Sequence, residues 1–150
     1  MSHFSCRYDL FDAERIGGAI GAALMPGDVV LLSGDLGAGK TTLARAMLKA
    51  RGLKGDAPSP TFAIVQPYAP PEVALAIAHV DLYRIEDASE LIELGLDDYL
   101  YDGALLIEWP ERLGTSGWPG ALALSVSGSG GARVLTADVP PAWETRWPLP

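Results

Sequence analysis

The sequence predicts an α/β protein with a mixed, partly parallel central sheet and a C-terminal β-hairpin. Three observations carry this prediction. Short apolar runs, "VVLL" at 29–32, "LAIAHVD" at 75–81 and "ALLIE" at 104–108, alternate with stretches of helical periodicity. A glycine-studded turn follows the first run and opens a helix. "SGSGG" separates two further apolar runs near the end, a hairpin signal.

Each element follows from its residues. Over 12–24, Ile16, Ile20 and Leu24 share one helical face and Asp12 is placed to cap it, while Gly17, Gly18 and Gly21 weaken the helix. "MPGD" turns the chain into a buried strand at 29–32. A helix over 41–50 turns Leu43, Met47 and Ala50 inward and Arg45 and Lys49 outward, and Gly52 can end it. Strands at 61–68 and 75–81, joined by "APPEV", form an antiparallel pair. Asp87 and Glu90 stand at capping-box spacing before a helix that Gly95 closes. Strand 104–108 and the hairpin 122–126 with 133–139 follow. The end of the chain, 143–150, is expected to be irregular, and 1–150 to form one domain.

Composition narrows the class. The 150 residues are 49% hydrophobic and 20% charged, which is globular. No apolar run is long enough to span a bilayer as a helix, and the first residues lack the pattern of a signal peptide. Cys6 is the only cysteine, so no internal disulfide forms; a cytoplasmic location is expected. A net charge of −8 disfavours a direct, strong grip on nucleic acid.

The chemistry starts at the glycine turn. Gly34, Asp35, Leu36, Gly37, Ala38, Gly39, Lys40 and Thr41 satisfy G-x-x-x-x-G-K-[ST], with a strand before and a helix after. Its glycines let backbone N–H groups curl around phosphate oxygens, and the helix adds the positive end of its dipole. Lys40 reaches β- and γ-phosphates, the Thr41 hydroxyl ligates Mg²⁺, and Thr42 adds a hydroxyl on the α-phosphate side. The fold class becomes a three-layer, P-loop NTPase-like sandwich. Two strands end in acids, Asp81 and Glu108, at the sheet edge where the loop lies. Either acid can hold Mg²⁺, directly or through water, while the other orients the attacking water.

Other residues admit two readings. "SPTF" at 59–62 presents Thr61 from a stiff loop, as a phosphate-sensing segment or as a plain strand entry. His79 shares a face with Asp81 and reads first as a core histidine. Arg84 stabilises transferred charge or pairs with an acid. Trp109 closes the core, or presses on the nucleotide or a partner. Arg133 is a nucleotide-contact candidate in the hairpin. The chain has no asparagine, hence no N-K-x-D, and no D-x-x-G, so ATP is preferred over GTP. The arginines after the loop are scattered, which weakens a small-molecule kinase reading.

"SGDLGAGKTTLARA", "SPTFAIVQPY", "HVDLYRIEDASELIELGL" and "LLIEWPER" resemble, in order and spacing over roughly residues 12–113, the TsaE (YjeE) family of bacterial ATPases in tRNA threonylcarbamoyladenosine synthesis. The resemblance implies a P-loop ATPase that is weak alone and acts with two partners, a TsaD-like threonylcarbamoyl transferase and its inactive TsaB-like paralogue. That complex modifies the adenosine beside the anticodon, so tRNA is met only indirectly and no membrane is involved. Carried over by position, the resemblance implies the phosphate loop at Gly34–Thr42 and the Mg²⁺ threonine at Thr41. It also implies the sensing threonine at Thr61, the acidic pair at Asp81 and Glu108, and the tryptophan at Trp109. The chain departs from the family at Val80, where an aromatic is frequent, and at Ala13, where a threonine is frequent; the second leaves no hydroxyl for a nucleotide contact there. Two alternatives stand beside partner-dependent hydrolysis: a non-catalytic module whose partner affinity ATP gates, and a free-standing kinase.

Overall fold

A computed structural model describes residues 2–9, 11–35, 37–55, 64–116, 118–129 and 131–150. Seven strands form one sheet: β1 (Ser2–Asp9), β2 (Val29–Ser33), β3 (Val65–Tyr68), β4 (Ala76–Asp81), β5 (Gly103–Glu108), β6 (Leu122–Ser129) and β7 (Ala132–Val139). Their order is β1-β7-β6-β2-β5-β4-β3. The middle four, β6-β2-β5-β4, run parallel. β3 pairs antiparallel with β4, β7 with β6, and β1 with β7. The sheet is therefore mixed and partly parallel, with β6 and β7 forming the expected antiparallel hairpin.

Parity along the strands sorts the core onto two faces. Val30 and Leu32 of β2, Leu106 of β5 and Leu124 of β6 pack with helices α1 (Ala13–Ala22) and α2 (Lys40–Ala50). Val29, Val80, Leu105 and Ile107 face the other way. There they meet Leu91 of α3 (Ala88–Glu93) and Leu96 of the 3₁₀ segment Leu96–Tyr101. Each helix face matches a sheet face because strand side chains alternate with period two.

Several local expectations change. Asp12 occupies the N-cap of α1 without a side-chain bond; instead the Asp9 carboxylate accepts the Asp12 N–H at 2.9 Å. Gly17 and Gly21 mark where α1 lies closest to α2. A Cβ at Gly21 would stand 2.6 Å from the Met47 Cα and carbonyl oxygen, whereas at Gly18 it would meet nothing within 4 Å. Ala50, expected inward, is exposed as the last residue of α2, while Met47 and Leu48 of the same turn are buried. The α3 cap departs from a strict capping box by one residue at each bond: Asp87 accepts the Ser89 N–H at 2.8 Å, while Glu90 reaches back past the cap to the Glu86 N–H at 2.8 Å. The tail is not irregular from 143. Helix α4 (Pro141–Glu144) carries Trp143 into the core at 1% exposure, and Arg146 covers its ring at 3.9 Å. Arg146 also forks onto Asp28 at 2.6 and 2.7 Å and bonds the Ala23 carbonyl at 2.7 Å. No helix among the described residues is long and apolar enough to cross a membrane.

Candidate functional site

The site is assembled where β2, β4 and β5 end and α2 begins. β2 stops at Ser33, and the chain leaves through Gly34 at φ 146°. A Cβ there would stand 2.5 Å from the Val126 carbonyl oxygen of β6, so the first glycine is required by a close backbone approach. The turn ends at Gly39, which caps α2 in the left-handed region at φ 107°. Gly39 has no side chain to cap α2, and no acidic residue stands in its first turn. The first N–H groups of an eleven-residue helix thus face the cleft with the dipole's positive end.

Lys40 and Thr41 are the first two residues of that helix. Lys40 is 5% exposed; its ammonium donates to the Gly34 carbonyl and lies 3.6 Å from the centre of the Trp109 ring. Burial pushes its pKa below the ordinary lysine range, while Glu108, Glu111, Asp81 and Asp35 pull it back up. The Thr41 hydroxyl donates to Glu108 Oε1 at 2.8 Å.

The two acids come from adjacent parallel strands in paired register, Asp81 on β4 opposite Glu108 on β5. Both sit on the face that carries α2, and both are nearly buried, at 6% and 2% exposure. Asp81 Oδ1 accepts the Tyr83 N–H at 2.9 Å. Glu108 Oε2 lies 2.6 Å from His79 Nε2, and His79 is fully buried. The chain then turns at Trp109, whose φ of 59° is rare for a bulky residue. Its N–H donates to the Leu32 carbonyl at 3.3 Å and its ring packs 4.9 Å from Tyr83. That turn is what aims the indole over Lys40.

Gly37, Gly39, Lys40, Thr41, Thr42, Asp81, Glu108 and Trp109 therefore line one open cleft. Asp35 is exposed in the loop, and Ala38 is buried beneath it. Leu36 and Thr61, with the whole of "SPTF", lie outside the described residues. Arg133, the nucleotide-contact candidate of the hairpin, donates from Nε to the Ala38 carbonyl of the glycine turn at 2.9 Å and lines a groove with Arg7, Tyr8 and Asp9. Arg84 is exposed and does not line the cleft. His79, read first as a core residue, is buried as expected but bonded to an acid of the cleft. Its shared parity with Asp81 was visible in sequence; the neighbouring strand that supplies Glu108 was not.

Uncapped N–H groups beside a buried cation suit a polyphosphate. A hydroxyl with two carboxylates is an all-oxygen donor set, which fits a hard cation such as Mg²⁺.

Over residues 9–133 the chain matches the family described as threonylcarbamoyl adenosine biosynthesis protein TsaE. It is 41% identical over 109 residues to the tRNA threonylcarbamoyladenosine biosynthesis protein TsaE of Mycobacterium tuberculosis, covering 68% of this chain and 65% of that one. The Bacillus subtilis protein of the same description is 41% identical over 99 residues, 65% of this chain and 60% of the relative. That of Haemophilus influenzae is 47% identical over 85 residues, 56% and 52%. The chain thus spans just under two thirds of the length of the mycobacterial relatives. The crystal structure of Bacillus subtilis YdiB superimposes with a TM-score of 0.79 at 27% identity, covering 97% of this chain and 92% of that one.

Proposed function

The chain belongs to the TsaE family, and on that premise we propose that it binds Mg²⁺-ATP and hydrolyses it in support of tRNA threonylcarbamoyladenosine formation. In this reading residues 1–150 act as one three-layer, P-loop NTPase-like domain in the cytoplasm. The observation that carries it is the convergence of Lys40, Thr41, Asp81 and Glu108 on one cleft at the mouth of a glycine loop.

Geometry supports the roles of the described residues, and the family resemblance alone supports that of Thr61. N–H groups of the loop and of the first turn of α2 bind phosphate oxygens. Lys40 exchanges the Gly34 carbonyl and the Trp109 face for the β- and γ-phosphates, and Thr41 releases Glu108 to turn its hydroxyl to the cation. Asp81 and Glu108 hold the cation's side of the cleft, and one of them orients the attacking water. Thr42 adds its hydroxyl towards the α-phosphate, and Thr61 senses the terminal phosphate. Bound Mg²⁺ supplies neutralisation of the charge on the transferred phosphoryl group. Arg133 acts indirectly, by holding the Ala38 carbonyl and so the shape of the loop.

Turnover is completed by a TsaD-like transferase and its inactive TsaB-like paralogue, and the net charge of −8 leaves the tRNA grip to them. The test is Mg²⁺-ATP turnover of the pure protein, alone and with both partners, with Lys40→Ala as control. Partner-stimulated turnover that Lys40→Ala abolishes is expected. Turnover indifferent to the partners overturns partner activation. Glu108→Gln that abolishes turnover yet keeps ATP binding and tRNA modification would instead make the chain a nucleotide-gated module.

A further inference from the structure

We infer that His79 is a positioning residue for Glu108, holding that carboxylate against Thr41 and the cation side of the cleft; the inference rests on the reading of the cleft as an ATPase site. A carboxylate facing Thr41 has two pressures on it. Asp81 stands opposite Glu108 in the β4–β5 ladder, on the same face and nearly as buried. Two acids so placed repel, and the repulsion is weakly screened because little water reaches them. Left alone, Glu108 would turn away from Asp81 or towards solvent.

His79 lies two residues back from Asp81 on the same strand, so its side chain leaves the same face. Its Nε2 is 2.6 Å from Glu108 Oε2, and it is fully buried. Its Nδ1 has no partner among the described residues. Nε2 is the ring nitrogen that faces the carboxylate, and the imidazole spends its one directed bond on Glu108. Glu108 thereby has one oxygen fixed by His79 and the other by Thr41, 2.8 Å away. When the Thr41 hydroxyl turns to a cation, His79 remains as the donor that keeps Glu108 in place. A histidine serving only to fill the core would not need this bond. An apolar residue of like volume would fill the same space without leaving Nδ1 unpaired.

The experiment compares wild type, His79→Leu and His79→Gln. Gln can present an N–H near the position of Nε2; Leu fills the volume and donates nothing. Each is assayed for kcat and for the Kd of a fluorescent ATP analogue, with thermal melts alongside. His79→Leu is expected to lower kcat about ten- to a hundred-fold, the range seen for outer partners of metal-side ligands. Its Kd should stay within about two-fold, because Lys40 and the loop are untouched, and His79→Gln should recover most of kcat. Wild-type kcat in folded His79→Leu, or equal losses in the Leu and Gln variants, overturns the inference. A second readout needs no turnover: ¹⁵N spectra of the imidazole should show Nε2 hydrogen-bonded, and Glu108→Gln should shift the Nε2 signal. An unshifted signal also overturns it. Absence of any Lys40-dependent turnover defeats the ATPase reading instead, and the imidazole spectra then decide the positioning claim alone.

Discussion

Alanine at Gly18 and at Gly21 should move stability in opposite directions, although both residues lie in α1, one turn or less apart. Either change removes the backbone-entropy cost of glycine in a helix, a gain of about 0.5–1 kcal/mol. At Gly18 the new methyl meets nothing within 4 Å, so the gain stands. At Gly21 it would sit 2.6 Å from both Cα and the carbonyl oxygen of Met47. Those are backbone atoms of α2 and cannot swing aside, so the helices must part. Overpacking of this kind costs about 1–3 kcal/mol, towards the upper end against rigid backbone, so about 1–2 kcal/mol is lost net of the glycine gain. For a chain of this size each kcal/mol moves Tm by about 2–4 °C. Thermal melts followed by circular dichroism should show Gly18→Ala about 1–4 °C above wild type and Gly21→Ala about 2–8 °C below it. Gly17→Ala, with a Cβ 2.6 Å from the Ala46 Cβ and 2.9 Å from the Leu43 carbonyl oxygen, should follow Gly21→Ala in sign. If Gly21→Ala melts as high as Gly18→Ala, the close approach of α1 to α2 is refuted.

Lys40→Met should raise the Tm of the ligand-free protein while abolishing ATP binding, because it removes a charge whose burial outweighs the pull of the neighbouring acids. Wild-type stability should also climb with pH between Lys40's depressed pKa and the ordinary lysine value, since there the unfolded chain binds a proton that the native state does not; urea titrations should find this rise missing in Lys40→Met. Mg²⁺-ATP should change tryptophan fluorescence as the ammonium leaves the Trp109 ring, and titration of Trp109→Phe should show that change lost. Arg146→Ala should cost about 2 kcal/mol in urea unfolding, since it removes a forked, partly buried bond to Asp28 and the cover over Trp143.

What could be read in the sequence was what local rules decide. β2, its glycine turn and α2 declare themselves because strand, phosphate loop and helix share one motif. The β6–β7 hairpin and the β3–β4 pair follow from their connecting turns. β1 was not anticipated, although Phe4, Cys6 and Tyr8 alternate; an edge strand burying only Tyr8 fully gives a weak pattern. Trp143 looked like part of a proline-rich tail, since nothing local shows that the core has a gap for it. Asp81 and Glu108 were legible as strand ends, yet their juxtaposition depends on β4 and β5 being neighbours. The bond from His79 to Glu108 depends on the same strand order. The bond from Arg133 to the Ala38 carbonyl likewise depends on β7 lying near the loop, which the hairpin signal alone does not reveal.

The pairing of β1 with β7 has a consequence for how the molecule is made. Ser2 lies opposite Val139 and Asp9 opposite Ala132, so β1, the first strand of this sheet in chain order, waits for β7, the last. Until β7 has been made, β1 has no ladder to join. Once β7 emerges and pairs with β6, it in turn offers an open edge until β1 arrives. A loop closure of that length is slow to form by chance, whereas β2, the glycine turn and α2 are neighbours in the chain. The glycine turn can therefore form before β1 is paired, and a nascent chain is most exposed to edge-to-edge association while the edge of β7 stands open.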